Sequence, residues 1–553
     1  MAATDVKARI ENLFPRIEDV PSTADFAPNG GTYASGDLYL IDGEVRQWAG
    51  ESHEVTSPIC VTRGGTTERR VLGRRAALSR DEGLAALAAA SRAYDNGRGL
   101  WPTMKVGARV EATQAFVAAM QKTREEVVRL LMWEIGKTRP DAEKEFDRTV
   151  QYVQETIEAV KELDRTGGRF SRTGGVLAQI RRAPLGVTLC MGPFNYPLNE
   201  TFTTLIPAVI MGNPVVAKLP RFGMLCQAPL LKAFAQSFPR GVVNIVNGEG
   251  RTVAGPLVEQ GDVAALAFIG SSRAANALKK QHPRPNRLRC ILGLDAKNPA
   301  IVLPDADLDV AVRECVTGAL TFNGQRCTGL KLLFVHRSIA DRFVDKLAAA
   351  VDSLPFGLPW EPGVKLTPLP ELDKAKTMND LVEDAQKKGA KIANAYGGLT
   401  NRTFYFPSVV YPVTSAMSLF SVEQFGPVVP VAPFDDVSEV MDFIEKSNFG
   451  QQASVFGRDA KVVGPLVDVL VNQVSRVNLN AQCQRGPDAY PFTGRKDSAE
   501  GTLSISDALR CFSIRTMVAA PEDDTNRGLL HDVLVSRASN FINTDYLFQN
   551  GRS

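Results

Sequence analysis

The chain is poor in the residues that build metal centres and cross-links. It has four histidines in 553 residues, His53, His282, His336 and His531, and they lie far apart. That spacing argues against a histidine-rich metal site, and no metal is expected. Its eight cysteines (Cys60, Cys190, Cys226, Cys290, Cys315, Cys327, Cys483 and Cys511) include no C-x-x-C pair. Neither a disulfide framework nor a zinc ribbon follows, and reduced thiols in a cytoplasmic protein are the simpler reading. Charge of one sign is not in excess: 64 basic side chains face 61 acidic ones, a net charge of +3. Such a balance leaves no footprint for nucleic acid or a membrane surface. No apolar run is long enough to span a bilayer. The start, Met1 to Arg9, lacks the apolar core of a secretory signal, and Asn550-Gly-Arg-Ser553 is not a peroxisomal address. No internal repeat or low-complexity tract stands out.

What is present is an ordinary globular composition, 44% hydrophobic and 23% charged, in a chain too long for one core. Residues 1 to about 75 read as loops with a few strands, such as the run Leu38 to Ile41. Helices are expected from about Ser79 to Asn96, Val106 to Ile135 and Asp141 to Leu163. In the last, Phe146, Val150, Val153, Ile157 and Val160 step by four and three and form one apolar stripe. Gly167-Gly168 and Gly174-Gly175 bracket a predicted hairpin. Short apolar runs follow at 187–190, 215–217, 242–246 and 265–269, with helical segments between them. That alternation predicts a parallel sheet with crossover helices, whose ligands bind at the strands' carboxyl ends. A second α/β unit begins near Leu294, with strands at 300–303, 331–335, 428–431 and 453–456. One more strand is predicted at 513–518, and a polar tail with a short helix at 529–534 comes last.

The stretch Thr321-Phe-Asn-Gly-Gln-Arg-Cys-Thr328 offers one cysteine behind a glycine turn, with a cation beside it. A thiol attacks carbonyls as the thiolate, and Arg326 with nearby amides can favour that anion. Alone, the motif is also compatible with a buried core cysteine.

Five segments occur in order: Met191-Gly-Pro-Phe-Asn-Tyr-Pro197, Gly212-Asn-Pro-Val-Val-Ala-Lys218, Phe268-Ile-Gly-Ser-Ser272, Gly324-Gln-Arg-Cys327 and Glu423-Gln-Phe-Gly-Pro427. Together they make residues 80 to 520 resemble an aldehyde dehydrogenase of the NAD(P)-dependent superfamily. Phe194-Asn-Tyr-Pro, Gly324-Gln-Arg-Cys-Thr and Gln484-Arg-Gly-Pro-Asp-Ala-Tyr-Pro-Phe492 are similar to its non-phosphorylating glyceraldehyde-3-phosphate dehydrogenase branch. The resemblance implies that Cys327 is the nucleophile and that Asn195 and the Cys327 N–H receive the oxyanion. It implies that Lys218 bonds the adenosine ribose and that Gly270-Ser271 opens a helix toward the pyrophosphate. It places Glu423 and Phe425 in the cofactor site, Glu423 on the nicotinamide ribose. NAD-preferring relatives carry a glutamate three residues after the lysine. Arg221 stands there instead and suits a 2′-phosphate, so the expected cofactor is NADP, with NAD as the other candidate. Arg148, Tyr196, Arg326 and Arg485 match positions that bind substrate phosphate in that branch.

The pattern breaks at Gly293-Leu-Asp-Ala-Lys297, where relatives carry Glu-Leu-Gly-Gly-Lys. Gly293 takes the place of the glutamate that activates water. Asp295, on the same side of an extended segment, is one candidate replacement; a turn or cap aspartate is the other reading. The expected activity is NADP-dependent oxidation of a small, phosphorylated aldehyde to the acid through a cysteine thioester. Acyl transfer to coenzyme A and a weakened member kept for binding are the alternatives that Gly293 motivates. The expected architecture is α/β: a Rossmann-like cofactor domain (30–150 and 185–293) and a catalytic domain (294–500). A small β bridging unit (166–184 and 505–520) and an extension (521–553) complete it. Relatives pair through such a unit, so a homodimer or homotetramer is expected.

Overall fold

The computed structural model describes residues 3–20 and 37–544. Expected features at 30–36 and beyond residue 544 lie outside them. Two α/β sheets organise the chain. In the first, five strands run parallel in the spatial order Val243–Val246, Val215–Lys218, Val187–Met191, Val263–Ile269, Arg289–Gly293. Antiparallel edges are added by Leu38–Ile41 with Glu44–Gln47 on one side and by Ala499–Glu500 on the other. The central strands are buried on both faces, which is why they read as unbroken apolar runs. Strand order reverses between Val187–Met191 and its neighbour Val263–Ile269. An open sheet of this winding leaves a crevice outside the strands' carboxyl ends at that point.

The second sheet runs Lys391–Ile392, Ser408–Tyr411, Val428–Phe434, Leu330–His336, Asn298–Val302, Gln452–Phe456, Arg476–Leu479, and all but the first strand are parallel. A third sheet is antiparallel. Its strands are Ser513–Pro521, Val176–Pro184 and Phe170–Thr173, with the Gly174-Gly175 turn joining the last two at φ +58° and +74°. No helix among the described residues is long and apolar enough to cross a membrane.

Three expectations need correction. The segment up to about residue 75, read as loops with a few strands, opens with a helix, Ala3–Glu11. The single helix expected over 106–135 is two, Val106–Gln121 and Arg124–Ile135. Thr123 bonds back to the Met120 carbonyl at 2.8 Å and ends the first, while Glu125 and Glu126 open the second. The polar tail carries a helix of thirteen residues, Asp524–Ser536, longer than the expected segment, started by Asp523 accepting from the Asn526 N–H at 2.8 Å.

One buried side chain ties these layers together. Asn213 is fully buried. Its Oδ1 accepts from the Leu185 and Gly186 N–H groups at 2.7 and 3.1 Å, and its Nδ2 donates to the Ala208 and Phe512 carbonyls at 2.9 and 2.8 Å. It therefore joins the exit of the third sheet, the helix Asn199–Ile210 and the strand start at residue 513. Each bond is worth roughly 1 kcal/mol, and the stranded partners add their desolvation. Asn213→Ala is expected to lower stability by about 3 kcal/mol or more, read as a shift of the urea midpoint. A change below about 1 kcal/mol contradicts this reading.

Candidate active site

A cavity of about 1090 Å³ opens between the two sheets at the carboxyl ends of the first. It is lined by eleven of the expected residues: Arg148, Asn195, Tyr196, Gly270, Ser271, Asp295, Arg326, Cys327, Glu423, Phe425 and Arg485. Lys218 and Arg221 lie outside that lining, at and just beyond the end of the neighbouring strand.

Cys327 follows a turn that few sequences tolerate. Phe322, Asn323 and Gly324 are all left-handed, at φ +50°, +54° and +72°. A Cβ at Gly324 would lie 2.5 Å from the Gly426 carbonyl oxygen and 2.8 Å from that of Ala319. The turn is clamped by side chains from the second sheet. Lys331 Nζ donates to the Gly324 carbonyl at 2.7 Å, and Asn298 Nδ2 donates to the Cys327 and Gly329 carbonyls at 2.8 and 3.0 Å. Asn195 Nδ2 donates to the Gln325 carbonyl at 2.7 Å, leaving its second N–H for another acceptor.

The loop holding Asn195 and Tyr196 rests on a buried ion pair. Lys137 and Glu145 are bonded to each other, and Glu145 Oε1 accepts from the Leu198 and Asn199 N–H groups, both at 3.1 Å. Lys137 Nζ also lies 3.5 Å from the centre of the Tyr196 ring.

Arg326 does not act on the thiol in the way its sequence position suggests. Its Nη2 is turned to the Gly318 carbonyl and to Gln482 Oε1, at 3.0 and 3.3 Å. Burial pushes the Cys327 thiol up to about 11, helped by the Glu200 and Glu423 carboxylates; Arg485 is the cation that opposes this. Two of the expected phosphate ligands already have carboxylate partners. Arg148 makes a two-bond fork to Asp488 at 2.9 and 2.7 Å. Arg485 is bonded to Glu200 and stands 3.3 Å from Asp488.

Of the two readings of Asp295, its bonds favour the cap. Asp295 Oδ2 accepts from the Ser272 N–H at 2.7 Å, at the start of helix Ser272–Gln281. The Gly293 position is roomy: a Cβ there would meet Leu503 Cδ1 at 3.4 Å and Ile269 Cγ1 at 3.5 Å, ordinary contacts.

The residues expected to hold a dinucleotide carry unspent charge and hydrogen-bonding capacity. Lys218 is 9% exposed, has no hydrogen-bond partner among the described residues, and is pushed down to about 8 by burial. Lys218 and Arg221 both act on Glu249, whose nearest partner is Arg75 at 3.0 Å, so three cations surround one carboxylate. Glu423 accepts from the Ala296 N–H at 3.2 Å through Oε2, while its buried Oε1 lacks a hydrogen bond. Lys331 Nζ stands 3.8 Å from that oxygen, too far for a hydrogen bond, so it keeps the capacity to accept from a ribose hydroxyl. Burial raises this carboxyl group, with Lys331 opposing.

Sequence reasoning missed several positioning residues. Glu200 lies beyond the recognised Phe194–Pro197 segment. Asp488 lies inside the Gln484–Phe492 segment, where the arginine drew attention. Lys297 carries the sequence signal of the altered Gly293–Lys297 segment; its Nζ donates to the Leu419 and Val422 carbonyls and to Gln424, at 2.8, 2.7 and 2.9 Å, and so holds the loop of Glu423.

The aldehyde dehydrogenase family model matches residues 61–518. The NADP-dependent glyceraldehyde-3-phosphate dehydrogenase of Streptococcus equinus is 34% identical over 73% of this chain and 84% of its own. The enzyme of that name from Pisum sativum is 30% identical over 87% of this chain and 96% of its own. The crystal structure of the Bacillus halodurans C-125 enzyme of that name, complexed with NADP, superposes with a TM-score of 0.80 at 29% identity, covering 88% of this chain and all of that one. The chain belongs to the aldehyde dehydrogenase family of oxidoreductases.

Removing the Glu200 charge while keeping its shape is expected to ease ionisation of Cys327. Glu200→Gln should make iodoacetamide modify Cys327 several-fold faster at pH 8. In the parent protein the rate should still climb above pH 9, because the thiol titrates near 11. A plateau below pH 9, or slower modification of the variant, contradicts this electrostatic account.

Proposed function

We propose that this protein oxidises a small anionic aldehyde, of the glyceraldehyde 3-phosphate kind, with NADP and through Cys327. The observation that carries the reading is one cavity in which a lone half-buried thiol, the Asn195 amide and several guanidinium groups meet beside the strand-end cofactor residues. The names of the similar enzymes point the same way. Lys218, Arg221, Gly270, Ser271, Glu423 and Phe425 would hold NADP, which supplies the hydride acceptor when bound. The surplus of Lys218, Arg221 and Arg75 over Glu249 favours the additional 2′-phosphate.

Each chemical step then falls to a residue of the chain. The Cys327 thiolate adds to the aldehyde carbon and forms a hemithioacetal oxyanion. That oxygen accepts from the Cys327 backbone N–H and from the second Asn195 N–H. Loss of hydride from the same carbon leaves a thioester on Cys327. Attack by water then breaks the carbon–sulfur bond, frees the acid and returns the proton to the thiol. For the substrate's anionic group, Arg326 is the cavity guanidinium without a carboxylate partner among the described residues, whereas Arg148 and Arg485 are largely neutralised. Arg148 and Arg485, with Tyr196, shape the same end of the cavity.

Hydrolysis is the step least provided for. Gly293 offers no base, and Asp295 is bonded as a helix cap. That observation favours a second reading of the last step, in which a thiol such as coenzyme A accepts the acyl group. Product analysis separates the two. With glyceraldehyde 3-phosphate and NADP, free acid formed without coenzyme A supports hydrolysis; dependence of turnover on coenzyme A supports transfer. Gly293→Glu is expected to raise acid release at least tenfold, since a positioned base contributes roughly 10² or more. Unchanged acid release in that variant removes the missing base as the limiting feature.

A further inference from the structure

A second cleft, of about 460 Å³, lies away from the active cavity, between helix Val106–Gln121, the end of helix Arg139–Gly167, strand Val176–Pro184 and the Arg510–Arg515 segment. Its charged lining is one-sided: Arg109, Arg181, Arg182, Arg510 and Arg515 against Asp164. The deepest of these is the informative one. Arg109 is 4% exposed, its guanidinium has no hydrogen-bond acceptor among the described residues, and its Nε is fully enclosed without a partner. Gly212 makes room for it: a Cβ there would sit 2.3 Å from Arg109 Nη1. Burial pushes Arg109 down to about 10, so it remains a cation at neutral pH. Asp164 is the acid that acts on it, and Arg181 shares that acid, so two buried guanidiniums depend on one carboxylate and a counter-ion from outside would complete the balance.

The other four grade from anchored to free. Arg181 is bonded to Asp164, the one acid of the lining, which also acts on Arg109. Arg182 is fixed by Ser513 Oγ at 2.7 Å and the Arg510 carbonyl at 2.8 Å, which aligns it without neutralising it. Arg510, bonded to Asp507 at 3.1 Å, and the exposed Arg515 form the rim. Arg510, Arg515 and Arg289 all act as like charges on Arg182.

We propose that this cleft binds a small polyanion carrying two or more phosphate groups, with Arg109 at its floor and Arg182, Arg510 and Arg515 around it. Planar guanidinium forks suit phosphate oxygens, and several set at different depths suit a ligand with more than one phosphate. The site is separate from the cofactor and substrate residues, so its occupancy does not depend on the reaction.

Inorganic pyrophosphate is the probe. Titrated by calorimetry into enzyme carrying one equivalent of NADP per chain, enough for the cofactor site and not for the cleft as well, it is expected to bind one equivalent per chain, more tightly than orthophosphate. Arg510→Ala combined with Arg515→Ala alters only exposed rim residues and should weaken binding at least tenfold. Arg109→Met should weaken it by at least as much and abolish the rise in Tm that pyrophosphate gives the parent protein. Three results would overturn the proposal: no binding once NADP is present, binding unchanged in the rim variant, or orthophosphate binding as well as pyrophosphate. The first is also what a second copy's carboxylates filling the cleft would give.

Discussion

The active cavity depends on how a strained turn is held. Three consecutive left-handed residues bring Cys327 to the cavity, a conformation that costs of order 1–3 kcal/mol per non-glycine residue. Lys331, Asn298 and Asn195 supply the compensation by bonding the carbonyls of Gly324, Gln325, Cys327 and Gly329. Two of these clamps come from strands of the second sheet and the third from the loop after a strand of the first. Cys327 is thus fixed where the two sheets meet, beside the crevice that the first sheet's strand order leaves open. Lys297, one strand start away, holds the Glu423 loop against the same seam.

Much of this was legible in the chain itself. Strands buried on both faces announce themselves as apolar runs, and the strands expected at 187–190, 215–217, 265–269 and 331–335 fall within strands of the structure. Strand Arg289–Gly293 was not visible, because it begins Arg-Cys and ends at the altered Gly293 segment. The helix break at Lys122-Thr123 was hidden for the opposite reason: no glycine or proline marks it, and the buried period runs through. In the cavity, the motif residues could be named but not their partners. That Arg148 faces Asp488, 340 residues later, and that Arg485 faces Glu200, is information that only tertiary packing holds. The same is true of Arg326, which neighbours Cys327 in sequence yet turns its guanidinium to carbonyls of the preceding helix.

These pairings change the electrostatic picture that the motifs alone convey. Three arginines at one end of a pocket look like a strong anion trap. With Asp488 and Glu200 in place, much of that charge is cancelled, and Glu200, together with Glu423, pushes the thiol toward its protonated form. A substrate anion settling among these groups adds negative charge beside the thiol, so charge alone would push Cys327 further toward its protonated form.

The proposed reaction turns on Cys327 carrying the acyl group. Rapid quench of the enzyme with NADP and glyceraldehyde 3-phosphate, followed by peptide mass spectrometry, tests it most directly. An acyl mass on the peptide containing Cys327 is expected, formed together with NADPH and absent without NADP. NADPH formation at the parent rate by Cys327→Ala, with no acylated peptide at any time, would contradict it.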